Sequence, residues 1–236
     1  MRIAFYDFDG TLVSSNIVTR YAFLLQRMPS RARALWKGVR LISSVPTYLL
    51  LNHFSRRLFN EVFFREYRGL ERGWLEQQAE AILAGVVLPS VYPGARDLVE
   101  EDRRQGFRTV LVTGELDFAL GPVVRYFGFD GLLCNKLAYR NGKATGAVSA
   151  PLLAEEGKVK AMAEESRRRR AALKEAKAYS DSFSDLPMLE AVGRPAAVNP
   201  DARLRRAARE RGWPILELKS PRGRSGAERN SHVHVS

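Results

Sequence analysis

Ile3-Ala4-Phe5-Tyr6-Asp7-Phe8-Asp9-Gly10-Thr11-Leu12 decides the fold. Four apolar or aromatic residues in succession read as a strand buried on both faces. The run ends on two carboxylates spaced i, i+2, followed by a glycine and a threonine. A strand that releases acids at its C-terminal end belongs to an open parallel sheet, whose ligands bind along that edge. Two carboxylates this close repel each other unless a cation lies between them or one keeps its proton. The stretch therefore calls for a metal ion or for an acid and base pair. The plainer alternative is a strand running into an Asp/Gly turn.

Downstream of Thr11 the period changes. Ile17, Tyr21, Leu24 and Leu25 form a helical stripe over 16–26, and a basic, aromatic helix is predicted over 31–42. Ser43-Ser44-Val45-Pro46 is expected to interrupt it, with helical spacing resuming over 47–54, 58–67 and 74–84. Residues 15–88 thus read as an all-helical cap inserted after the first strand. The core is assigned to 1–14 and 89–219, and 220–236 to a disordered basic tail.

From Pro93-Gly94 onward helices and strands alternate, as a parallel sheet requires. Strands are predicted over 107–112, 131–134, 176–180, 195–198 and 215–218, and Asn141-Gly142 marks a hairpin turn before Gly157-Lys158. The fold class is α/β, a Rossmann-like open parallel sheet carrying the helical cap.

The chain has 236 residues, 45% of them hydrophobic, enough for one sizeable domain with an insertion. Its single cysteine, Cys134, excludes an internal disulfide and reads as a small core hydrophobe. No charged-then-apolar leader opens the sequence, so a cytoplasmic protein is expected. His53 reads as cap surface or packing, and His232 and His234 have no companion ligands for a metal.

A net charge of +12 suits an anionic partner. Between Asp9 and Glu61 there is no carboxylate, while Arg20, Arg27, Arg31, Arg33, Lys37, Arg40, Arg56 and Arg57 all fall there. Arg167 to Arg170, by contrast, follow Glu164 and Glu165 and read as a solvated helix face.

The predicted strand ends gather the parts that phosphoryl transfer needs: a nucleophile, a proton donor, and positive charge for the transferring oxygens. Asp7 can attack phosphorus, and Asp9 can protonate the leaving alcohol and then deprotonate water. Thr113, with backbone N–H groups near Gly114, can hold a phosphoryl oxygen, and Lys158 can neutralise phosphate and carboxylates. Asp181 completes an oxygen-only site that favours Mg2+.

Asp7-Phe8-Asp9-Gly10-Thr11, Thr113-Gly114, Gly157-Lys158 and Ser180-Asp181-Ser182-Phe183-Ser184-Asp185 resemble, in order and spacing, the four motifs of the haloacid dehalogenase (HAD) superfamily. The chain is most similar to subfamily IB, the phosphoserine-phosphatase-like branch, whose helical cap follows the first motif. The resemblance implies a HAD phosphatase that hydrolyses a small phosphomonoester. In it Asp7 is the nucleophile and Asp9 the acid/base. Asp7, the Asp9 carbonyl and Asp181 would hold Mg2+, with Asp185 behind them near Lys158. Substrate contacts would come from Thr113, Gly114, Lys158 and Asn16. Asn16 stands where phosphoserine phosphatases of this branch carry a glutamate for the substrate ammonium, so phosphoserine itself is in question.

For the cap two readings remain. Trp36, Tyr48, Leu49, Leu50, Leu51 and Phe54 form its own core with the arginines outside, which is the favoured reading, or they seat a basic amphipathic helix on anionic lipid. The second reading would make the substrate a lipid phosphate met at a membrane surface. Nucleic acid is not expected as a partner, because charge alone is the sequence-independent part of such binding and no reader motif accompanies it. The sequence sets no oligomeric state.

Overall fold

The computed structural model describes residues 1–218, with the backbone alone at Asn52 and His53. The expected tail at 220–236, with His232 and His234, lies outside the described residues, as does the side chain of His53.

β1 (Arg2–Tyr6) forms where the first strand was expected. Its residues split by the two-residue period of a strand. Ala4 and Tyr6 pack into one hydrophobic cluster and Ile3 and Phe5 into another, all four without exposed surface. Six parallel strands follow the order β3 (Gly131–Asn135), β2 (Phe107–Leu116), β1, β6 (Lys177–Ser180), β7 (Arg194–Val198), β8 (Ile215–Leu216). The order reverses at β1, and the crevice beside it is where an open α/β sheet takes a ligand.

Between β1 and α6 (Ala95–Arg104) lie α1 (Ile17–Gln26), α2 (Arg31–Phe54), α3 (Arg56–Phe63), α4 (Arg72–Gln77) and α5 (Ala79–Ile82). A π turn then spans Leu83–Val87. Tyr21, Tyr48, Phe59, Phe63 and Tyr67 pack as rings 5.0 to 6.4 Å apart and join the same cluster as Tyr6 and Leu111.

Two expectations for this insertion are corrected. α2 does not break at Pro46 but runs through it for 24 residues. Proline in a helix interior costs about 3 kcal/mol. Tyr48, two residues on, offsets this: it is buried, its ring contacts Phe59 and Phe63, and its hydroxyl donates to Glu66 Oε1 at 2.9 Å. The second correction concerns the cap core. Trp36, Leu49, Leu50 and Phe54 are exposed and Leu51 is half-buried; of those six residues only Tyr48 is core.

The Asn-Gly hairpin is present as β4 (Leu137–Arg140) and β5 (Lys143–Val148), with Asn141 at φ 50° and Gly142 at φ 73°. It docks on the insertion through backbone hydrogen bonds, Gly69 N–H to Ala144 O, Ala144 N–H to Leu70 O and Arg72 N–H to Gly142 O, each 2.8 Å. α7 (Gly121–Phe127), α8 (Glu156–Arg168), α9 (Leu186–Glu190) and α10 (Ala202–Glu210) complete the layers on the sheet. Among the described residues no helix is long and apolar enough to cross a membrane.

Candidate functional site

The residues after β1 and β6 meet at the point where the strand order reverses. The Thr11 hydroxyl lies 3.2 Å from Asp7 Oδ2 and 3.0 Å from Asp181 Oδ1, so one small group touches both carboxylates. The approach depends on Gly10, which has φ +83°, and a Cβ there would come within 2.0 Å of Asp181 Oδ2. Only glycine permits both that backbone conformation and that contact.

Lys158 enters from the first turn of α8. Its Nζ donates to Asp7 Oδ1 at 2.6 Å and to Asp185 Oδ2 at 2.8 Å, and Ser180 Oγ donates to the same Asp185 oxygen at 2.7 Å. Gly157 permits the entry, since a Cβ there would lie 2.1 Å from the Leu152 carbonyl oxygen. Burial alone would favour the neutral amine, but Asp185 and Asp7 overcome it and hold the ammonium proton above the usual lysine range.

Burial pushes the Asp7 carboxyl up to about 6 against the opposing pull of Lys158, with Asp185 and Asp9 adding to the rise. Asp181 is pushed well up by burial and by its neighbours Asp7 and Asp185. A protein that buries carboxylates face to face in this way has built a place where added positive charge is favourable.

Thr113 and Gly114 were expected just past a strand end. Instead β2 continues to Leu116, with its register against β3 shifting between Val112 and Leu116. Such an irregularity re-aims side chains and recurs beside active sites. Here Thr113 faces a cavity of about 220 Å³ that is also lined by Asp7, Asp9, Lys158, Asp181 and Asp185.

These motifs and this convergence match the pattern of the haloacid dehalogenase-like hydrolases over residues 4–190. The chain belongs to that family. Among its relatives is a phosphoserine phosphatase of Mycobacterium tuberculosis, 34% identical over 225 residues, or 93% of this chain and 71% of that one. A histidinol-phosphatase of Neisseria meningitidis serogroup C is 31% identical over 182 residues, covering 68% and 82%. A crystal structure of a protein of unknown function from Bordetella pertussis Tohama I superposes with a TM-score of 0.78 at 28% identity, covering 92% of this chain and 99% of that one. Within the HAD hydrolases the chain is thus an enzyme of the phosphatase type, similar to phosphoserine phosphatases.

Among the described residues no three His, Cys, Asp or Glu side chains cluster at metal-binding spacing. What the site offers a cation is the Asp7 and Asp181 carboxylates, which meet on the Thr11 hydroxyl, an all-oxygen pair. That donor chemistry, with both carboxyls raised first of all by burial, fits a hard divalent ion such as Mg2+.

Asn16 is corrected. Its side chain does not line the cavity but caps α1, accepting from the N–H groups of Val18 and Thr19 at 3.0 and 3.1 Å. A carboxamide at an N-cap is held there by the orphan amides of the first turn.

Three lining residues escaped the sequence reading of this HAD chain: Glu115, Asn60 and Arg56. So did Arg20, which had been counted with the surface cations. It is 2% exposed, its Nη2 lies 2.5 Å from Asp9 Oδ1, and its Nε donates to Glu115 Oε2. The signal was available. Arg20 falls on the stripe of Ile17, Tyr21 and Leu24, and a charge on the buried face of a helix requires a partner elsewhere. Burial raises the Glu115 carboxyl, and Arg20 opposes the rise.

Proposed function

We propose that the chain is a Mg2+-dependent phosphomonoesterase that works through an aspartyl phosphate, on a small or amphiphilic phosphate ester. The observation that carries the reading is that Asp7, Asp9, Thr113, Lys158 and Asp181, from distant segments, line one cavity.

Substrate phosphate sits against Thr113 and Lys158 with its phosphorus facing Asp7. An Asp7 oxygen forms a bond to phosphorus as the bond to the leaving oxygen breaks, and Asp9 gives that oxygen its proton. Water then attacks phosphorus, Asp9 takes the water proton, and the aspartyl bond breaks to free phosphate and restore Asp7. Arg20 fixes Asp9 Oδ1, which leaves the other carboxylate oxygen for these transfers. Lys158, tied to Asp185, supplies fixed positive charge to the transferring oxygens without reorganising. Mg2+ held by Asp7, Asp181 and the Asp9 carbonyl would add charge neutralisation at the same oxygens.

The cavity holds a phosphoryl group and the first atoms of a leaving group. Through Arg56, Ala154, Ser182 and Ser184 it continues into an open groove of about 910 Å³, where the rest of a larger leaving group lies. The lining carboxylates already have partners: Asp7 and Asp185 pair with Lys158, Asp9 and Glu115 with Arg20, and Asp181 faces the ion site. Among the described residues that line the cavity, as distinct from the groove, no acid remains for a substrate ammonium, which favours an ester without the amino group of phosphoserine.

The test is phosphate release from a panel of phosphomonoesters. Release is expected with Mg2+, to vanish on chelation with EDTA, and to return on adding Mg2+ back. Turnover that persists in EDTA would remove the ion from the reading.

Asn60 supplies a second check. Its Nδ2 is buried with no hydrogen-bond partner among the described residues, and it lines the cavity beside Gly114. An orphaned donor is costly to the fold and useful to a ligand. Asn60→Leu is expected to leave thermal stability unchanged or higher while raising KM tenfold or more, about 1.4 kcal/mol or above. An unchanged KM with a lowered melting temperature would make the residue structural only.

A further inference from the structure

We propose that the outward face of α2 docks on an anionic lipid bilayer. A helix on a protein surface ordinarily buries its apolar stripe and shows its polar one. α2 reverses this. Lys37, Leu41 and Tyr48 face inward; Lys37 Nζ donates to the Glu66 backbone carbonyl and the Tyr48 hydroxyl to the Glu66 carboxylate, which also takes Arg40. At about 100° per residue the opposite side carries Leu35, Trp36, Val39, Ile42, Leu49 and Leu50. All six are exposed, Leu35 and Ile42 by 71% and 73%. Beyond Arg31 at its start, the helix carries Arg33, Lys37 and Arg40 beside that face rather than at its centre, Arg40 lying over the Trp36 ring at 5.3 Å, and no carboxylate occurs.

What covers such a face is indicated by the charge around it. Arg27, Arg31 and Arg33 at one end are exposed, and no acid lies between Asp9 and Glu61 to oppose them; Arg57 at the other end is also exposed and pairs with Glu61 at 3.1 Å. A second copy of the chain would set arginine against arginine across a two-fold axis. A nucleic acid would meet the cations but leave the leucines in water. An anionic bilayer satisfies both, with the apolar side chains entering the acyl boundary and the arginines meeting the head groups. Trp36 is the aromatic type enriched at that depth. The helix is about 36 Å long, so it lies along the surface. Phe54, Arg56 and Arg57 at its end also line the groove that leads to the catalytic cavity, so docking brings the mouth of the groove to the lipid.

The experiment is co-sedimentation of the full chain with vesicles of phosphatidylcholine alone or of phosphatidylcholine and phosphatidylglycerol at about 7:3, in roughly 0.15 M salt. Ile42 and Leu49 are exposed and line neither the cavity nor the groove, so the variant I42D/L49D should fold and keep its turnover of soluble p-nitrophenyl phosphate. The wild type is expected to pellet with the anionic vesicles at least tenfold more than with the neutral ones, and I42D/L49D to lose that excess. Three results overturn the proposal: no pelleting of the wild type, equal pelleting of the variant, which assigns the affinity to cations elsewhere, or a wild-type dimer in solution that I42D/L49D dissociates. Binding is read without turnover, so its failure is separate from any failure of the phosphatase reading.

Discussion

Asp7→Asn is expected to abolish phosphate release, by a thousandfold or more, about 4 kcal/mol of barrier, while the protein stays folded. The amide keeps the shape of the carboxylate but cannot form the acyl phosphate. Lys158 does not become an orphan, because Asp185 still accepts from it at 2.8 Å. The direction of the stability change follows from the raised carboxyl. A group whose proton affinity is higher in the folded state contributes stability at low pH and loses it as pH climbs through its folded value, here about 6. The metal-free wild type should therefore weaken between about pH 4 and 7 through this residue, and the variant should lack that part of the slope. Melting curves across this range, beside phosphate release at saturating Mg2+, read both. Substantial turnover by the variant would place the nucleophile elsewhere.

Arg20→Met should lower the stability by about 3 to 5 kcal/mol, the cost of breaking a buried ion pair and leaving its partners uncompensated. Asp9 and Glu115 would then face each other across a cavity with the shared guanidinium gone, and Ser15 would lose its contact with Nη1 at 3.2 Å. Turnover should also drop by more than tenfold in the protein that remains folded, since Asp9 is no longer fixed. Adding Glu115→Gln to that variant removes one of the two stranded carboxylates and should recover part of the melting temperature, though not the rate. Arg20→Lys keeps a charge but not the fork that reaches two carboxylates, and it should fall between. A variant R20M with wild-type stability would show that the pair adds nothing to the fold.

The parts of this molecule that local sequence reveals are those in which neighbours along the chain act together. Ile3 to Tyr6 alternate between two clusters because a strand has period two, and the acids that follow them must then emerge at the sheet edge. Asn141-Gly142 made its turn because both residues tolerate positive φ. What local reading missed depends on distance. Arg20 and Glu115 are 95 residues apart, and neither stretch alone says that the other exists. Pro46 was read as a stop because nothing in its neighbourhood announces that Tyr48 will reach Glu66. The apolar residues of α2 were assigned to a core on composition, whereas the direction each one points is set by which side of the helix Lys37, Leu41 and Tyr48 claim. Asn16 was named from alignment with a ligand position and proved to serve its own helix.

The hairpin β4–β5 is stitched to the insertion by three main-chain bonds, whereas the margin near α8 is bridged by Glu155, whose Oε1 accepts from Ser55 Oγ at 3.0 Å and from Arg57 N–H at 3.4 Å. Parting the first seam breaks a main-chain ladder; parting the second breaks side-chain contacts, those of Glu155 among them. Neither margin opens by itself, however: Tyr21, Phe63 and Tyr67 of the insertion share one buried cluster with Tyr6 and Leu111 of the sheet, so prising either edge apart means tearing that common interior.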